Sequence, residues 1–263
     1  MNQNSSCLLC GKRAKLLRKS HIIPDFMYKG LFDETDRMMF MSLNDFSKHK
    51  YVQTGYYDKY ILCSDCDNGR IGGWEKYAAA VLYGGGTKSL CNIEKRFVNE
   101  EMDTLFVTGI SYQRFKLFLL SILWRAHTSQ NKFFKQICIP DLEPALRNAL
   151  VTDNAGADDD FKVGILGIKG YDGNLANFVM NPDMRRIEGS NFAHFMVSGF
   201  IYFIELKKNG GFQLLERFYL KQSGELEIPI ISGGIANQML RAFGLPDKIV
   251  DHYTPIPRGN PEV

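Results

Sequence analysis

The chain has 263 residues, of which 45% are hydrophobic and 13% aromatic, with a formal net charge of +3. That composition excludes a disordered chain and leaves enough apolar material for a sizeable core, in one large domain or two to three small ones. The charge is too mild to imply a nucleic-acid partner by itself, so the placement of charges has to carry that argument.

The opening stretch MNQNSSCLLCGKRAK has no apolar segment of the length a secretory signal needs. The longest apolar run, FKLFLLSILWRAH, is broken by Lys116 and Arg125 and is too short to span a bilayer. A soluble, cytoplasmic protein with no membrane partner is expected. In a reducing compartment its six cysteines serve as metal ligands or core residues in preference to disulfides.

Along the chain, residues 1–83 are rich in turns, cysteines and charges. KLLRKSHIIP reads as a short strand or hairpin, and YILCSDC as a strand running into a Cys-x-x-Cys turn. A helix is predicted from about Trp74 to Tyr83, ended by three glycines. Residues 84–160 read as a helical region. A central helix begins at Ser111, and a second lies in PDLEPALRNALV, with Asp141 as N-cap and Pro144 in the first turn. TDNAGADDD follows as a solvated acidic loop, since its carboxylates lack the spacing of a calcium loop. Residues 161–263 hold strand-like runs separated by glycine turns, then the short helix IANQMLRAFG and a proline-bearing tail. They predict a mainly antiparallel sheet or small barrel, so the fold class is α+β.

Cys7-Leu-Leu-Cys10 and Cys63-Ser-Asp-Cys66 each present two thiolates on a tight turn. Together they supply the four corners of a structural zinc site. A redox dithiol would instead favour a single such pair opening a helix of a βαβ unit. Between Cys10 and Ser20 lie Lys12, Arg13, Lys15, Arg18 and Lys19 with no acid among them. Beside a metal-ligand pair, such a run reads as a phosphate-facing strip. His21 has two readings: a satisfied core histidine on an apolar strand, or a general base with a pKa near working pH.

These residues together resemble the HNH, or ββα-metal, nuclease family: a Cys-x-x-Cys, a basic strand, Ser20-His21-Ile22-Ile23-Pro24, and a second Cys-x-x-Cys entering a helix. The resemblance covers about residues 7–80 and implies a zinc-braced ββα module around a separate catalytic magnesium or manganese. It implies that His21 is the general base and that the metal lies between the residue before it and the residue after the last cysteine. Those positions hold Ser20, where the family has an aspartate, and Asp67, where it has asparagine or histidine. The carboxylate and the neutral oxygen have exchanged places. Asn68 and, less directly, Glu75 are further candidate ligands. Asn44 is the sole asparagine between the motifs and the candidate for the family's histidine-orienting residue. The distance between the knuckles implies an insertion within residues 28–58. The whole chain also resembles bacterial HNH-like proteins that carry SHIIP and a helix ending in Trp-Arg-Ala, here Trp124-Arg125-Ala126.

The expected function is metal-dependent hydrolysis of DNA phosphodiesters, in the setting of genome defence, with a homo-oligomer or a regulatory partner. The alternative is an inactive zinc scaffold that binds nucleic acid or a protein. The remaining histidines carry less: His49 reads as solvated, His127 as core edge, His194 as a strand residue and His252 as part of the tail. Cys91 and Cys138 read as small apolar residues. Arg125, on an apolar helix, needs a carboxylate or phosphate partner.

Overall fold

In a computed structural model, residues 4–35, 37–42, 45–84, 90–170, 173–175, 179–206, 213–245, 247 and 250 are described. The N-terminal part is built from short strand pairs. β1 (Asn4–Ser6) pairs with β2 (Arg13–Lys15), and β3 (Ser20–His21) pairs with β6 (Tyr57–Asp58), placing His21 opposite Tyr57. Between them, β4 (Met38–Ser42) and β5 (Asp45–Val52) form a separate hairpin, which accounts for the insertion read within residues 28–58. After Cys63 the chain turns helical at once. A wide π-type turn, Asp65–Ile71, leads into α1 (Gly72–Tyr83), which ends on Gly84 in the left-handed region. Glycines 69, 72 and 73 weaken a regular helical start, and the structure answers with the wider turn.

The stretch 84–160 contributes more than helix. β7 (Asn92–Asn99) and β8 (Met102–Thr108) form an antiparallel hairpin before α2 (Tyr112–Thr128) and α3 (Glu143–Thr152). Leu142, one residue after the expected Asp141, occupies the N-cap of α3, and Pro144 lies in its first turn. Every residue from Phe115 to Ala126 is buried, as the all-round apolar pattern of α2 requires.

The two cations within that run are each satisfied. Lys116 Nζ donates to Tyr112 Oη and to the Ala157 carbonyl, both at 2.7 Å. The acidic loop read as a solvated linker therefore lies over Lys116. Burial draws the lysine down to about 8, while Asp158, Asp159 and Asp160 oppose that shift.

Among the described residues, one seven-stranded sheet takes β7 and β8 together with β9 (Lys162–Ile168), β10 (Val179–Ile187), β11 (Ser190–Val197), β12 (Phe200–Glu205) and β13 (Leu226–Ile231). The order is β10-β11-β12-β9-β13-β8-β7. All neighbours are antiparallel except β9 and β13, which pair in parallel through Ile230 with Gly167. The sheet is thus open and mixed, and it draws its last hairpin from the region read as helical.

Alternation along the strands sends Val163, Ile165, Tyr202, Ile204, Leu226 and Ile228 to the face shared with α1, α2, α3 and the cysteine turns. Leu166, Ile168, Ile201 and Phe203 go to the opposite face, under α4 (Gly233–Ala242). The first of these cores is continuous from Cys7 to Ile230. The Glu101 carboxylate, from the β7–β8 turn, accepts from Gly234 N at 2.7 Å and caps α4. A Cβ at Gly233 would meet that carboxylate at 2.2 Å. Among the described residues no helix is long and apolar enough to cross a membrane.

Candidate metal centre and the His21 site

The four sulfurs of Cys7, Cys10, Cys63 and Cys66 lie within 4.8 Å of one another. Two chain segments far apart in sequence meet here because their backbones are paired. Leu16 bridges Cys63, Leu8 N donates to the Ile61 carbonyl at 2.9 Å, and Cys63 N donates to Cys7 Sγ at 3.4 Å. Gly11, at φ 73°, closes the first turn in a conformation that favours glycine. Cys10 Sγ and Cys63 Sγ are 3.9 Å apart, close to the tetrahedral edge that Zn–S bonds of about 2.3 Å produce. Three of the cysteines are buried, and burial raises the Cys63 and Cys66 thiols. A cation is what allows such a group to ionise together. The donor set fits zinc, and these residues could hold it. Arg147 of α3 ties into the same turn by donating to the Leu8 carbonyl at 3.0 Å.

His21 stands on β3, next to this centre. Its Nε2 lies 3.1 Å from Thr54 Oγ1 and 3.3 Å from Asp25 Oδ2. Thr54 Oγ1 in turn donates to Asp25 Oδ1 at 3.4 Å, and Gly55 N donates to the same oxygen at 3.2 Å. For the neutral ring, one proton arrangement satisfies all three groups: Nε2–H donates to Thr54 and the threonine hydroxyl donates to Asp25. The lone pair is then on Nδ1. Gly55 permits the loop to close this tightly, since a Cβ there would sit 2.3 Å from the Tyr28 ring. The imidazole side chain is 29% exposed, so it is neither a sealed core histidine nor a free surface one.

The Asp67 carboxyl is half-buried on the turn directly after Cys66. Burial pushes it up to about 6, with Glu75 adding to the rise and Arg125 and Ser20 opposing it. Ser20 is fully buried beside this carboxyl and favours its charged form, yet Ser20 Oγ has no partner in good hydrogen-bond geometry. The residue before His21 and the residue after the last cysteine therefore do come together.

The cation that acts on Asp67 is Arg125, itself 1% exposed. Its Nη1 lies 2.8 Å from Glu75 Oε1, an ion contact without hydrogen-bond alignment at that oxygen, and donates to the His21 carbonyl at 2.5 Å. Its remaining nitrogens bond Ser121 O and Ser121 Oγ, both at 3.2 Å. Of the two partners the sequence left open for Arg125, a carboxylate or a phosphate, Glu75 supplies the carboxylate.

Other sequence-stated candidates fall elsewhere. Asn68 turns its amide to Ser64 Oγ at 3.1 Å on an exposed surface, so it does not join Asp67. Asn44 lies outside the described residues, as does His252, and the side chain of His49 is not described. Lys12, Arg13, Lys15, Arg18 and Lys19 are all exposed, with Lys19 Nζ 4.8 Å over the Tyr57 ring. His127 is half-buried and accepts from Ile139 N at 3.2 Å. Cys91 is buried as expected, but Cys138 is exposed. Reading the sequence missed Asp25 and Thr54 as partners of His21. Asp25 opens a separate turn beyond Pro24, so neither it nor Thr54 was marked by spacing. Among the described residues, the four cysteines are the sole group of three or more His, Cys, Asp or Glu side chains close enough to hold a metal.

No family model, no curated protein and no solved structure matches this chain.

Proposed function

We propose that the chain is a zinc-braced phosphodiesterase of HNH type acting on DNA, with His21 as general base. The observation that carries this reading is the placement of Thr54 Oγ1 and Asp25 Oδ2 at 3.1 and 3.3 Å from His21 Nε2. In the neutral tautomer that donates from Nε2 to these partners, the Nδ1 lone pair is left to take a proton from an attacking water. A base held in one tautomer by a hydroxyl and a carboxylate is arranged for proton transfer.

The exposed basic strip from Lys12 to Lys19 leads directly into β3, and it would fix the phosphate backbone without reading sequence. Asp67 and Ser20 fit a magnesium or manganese ion in donor chemistry, one a half-buried carboxyl and the other an orphaned hydroxyl. Such an ion, when bound, supplies charge stabilisation at the scissile phosphate. Glu75 does not fit as a ligand, because its carboxylate is turned onto Arg125.

A second reading is favoured by Arg125. A buried guanidinium already answers part of the negative charge of Glu75 and Asp67. On that reading the scaffold binds DNA and does not cut it.

The test is nicking of supercoiled plasmid with magnesium, manganese or EDTA, comparing wild type with His21→Ala and Asp67→Ala, alongside a gel-shift assay. Cutting that needs metal and is lost in both zinc-loaded variants supports the enzyme. Cutting that survives His21→Ala refutes it. DNA binding without cutting, weakened by alanine at Lys12, Arg13 and Lys15, supports the scaffold.

A further inference from the structure

β7 is a sheet edge whose eight residues are all exposed, and among the described residues no strand pairs with its outer side. Three of the eight are apolar and well exposed: Phe97 at 74%, Ile93 at 59% and Val98 at 44%. A long edge of this kind templates pairing with another strand unless charge blunts it. The two cations on it each have an acidic partner within the chain, although Asp103 is shared with Lys169. Lys95 Nζ lies 2.9 Å from Asp103 Oδ2, and Arg96 is bidentate on Glu94 at 2.8 and 2.9 Å. The apolar face of β7 also continues into a cavity. Ile93 sits opposite Val107 and Lys95 opposite Leu105, and Ile93, Leu105 and Val107 line an apolar pocket with Val81, Leu82 and Tyr83.

We propose that β7 pairs antiparallel with β7 of a second copy of this chain, about a two-fold axis at Lys95, joining the two sheets into one. The sequence Ile93-Glu94-Lys95-Arg96-Phe97 is self-complementary in that register. Glu94 falls opposite Arg96 of the second copy, and Ile93 opposite its Phe97. Centring the axis on Glu94 or on Arg96 opposes like charges without setting Glu94 against Arg96; the Lys95 register opposes the two Lys95 side chains, each held by its own Asp103, but sets Glu94 against Arg96 twice. On the cavity side of the sheet, Phe97 of each chain then covers the pocket rim beside Ile93 of the other. Each Glu94 lies between its own Arg96 and that of the second copy.

The experiment is light scattering and sedimentation of the full zinc-loaded chain at tens of micromolar, for wild type, Glu94→Arg, Arg96→Glu, the double exchange and Phe97→Asp. The expected mass for wild type is twice the 30.0 kDa of one chain. Each single charge change and Phe97→Asp should weaken association by about tenfold or more, and the double exchange should restore it. The residues are exposed, so circular dichroism and zinc content should not change. A wild-type mass of one chain overturns the proposal. So does a dimer that Glu94→Arg and Phe97→Asp leave intact.

Discussion

Replacing Arg125 with Met keeps most of the buried side-chain length and removes the guanidinium that joins α2 to the His21 strand. The loss leaves the Glu75 carboxylate without its cation and the His21 carbonyl without its donor. Breaking a buried ion pair from one side costs about 3–5 kcal/mol, and an unmet carbonyl about 1 kcal/mol more. The Glu75 side chain is 24% exposed and keeps some water, which moves the expected total to about 3–4 kcal/mol. That is a large share of the roughly 5–15 kcal/mol that holds a domain together. The assay is urea unfolding of zinc-loaded protein for wild type, Arg125→Met, Glu75→Gln and the double variant. The double variant should be more stable than the two single costs predict, by about 1–3 kcal/mol, because the second change removes a charge the first left unpaired. Additive costs, or an Arg125→Met loss below about 1 kcal/mol, would show that the contact contributes little and that Arg125 is not the hub of this site.

Three further outcomes are expected. Chelation, or Cys63→Ser, should release the zinc and abolish cooperative unfolding of the N-terminal strands, read by metal content and hydrogen exchange. Asp25→Asn should slow plasmid nicking by about 10- to 100-fold while leaving DNA affinity unchanged; equal loss of both would place Asp25 in binding instead of in orienting the base. His194, on β11 against the Phe243 ring at 4.6 Å, is held down to about 4 by burial, with Asp183 opposing the shift and Arg185 adding to it. Its folded value lies below the ordinary 6.5, so its stabilising effect is complete above that pH and is lost as pH falls toward 4. The loss is on the order of 3 kcal/mol. A His194→Leu variant should show a flatter acid limb in denaturation, and an unchanged limb would refute the assignment.

The parts of the molecule that are local in sequence were legible. The two Cys-x-x-Cys turns are chemical patterns, and the all-round apolar run of α2 leaves no other reading. The β7–β8 hairpin was not legible. β7 buries no residue and so lacks the in–out alternation by which a strand is recognised, while its Glu-Lys-Arg centre reads as surface. The role of the acidic loop was hidden because it depends on Lys116, 41 residues away from its contact Ala157. The site was half legible: Ser20, His21 and Asp67 could be aligned to a motif, but Thr54 and Glu75 meet their partners only through tertiary folding.

The single core that runs from the cysteine turns through α2 to the sheet has a consequence for how this chain arose and can be engineered. The zinc-bearing segment is no portable cassette. Cut after Tyr83, it would lose α2, α3 and the strand face that cover Leu16, Ile22, Ile23 and Trp74, and it would present that surface to solvent. Grafting the motif onto another scaffold would have to carry Arg125 and its helix along. Recombination could exchange the outer edge of the sheet, but not the boundary between the first third of the chain and the rest.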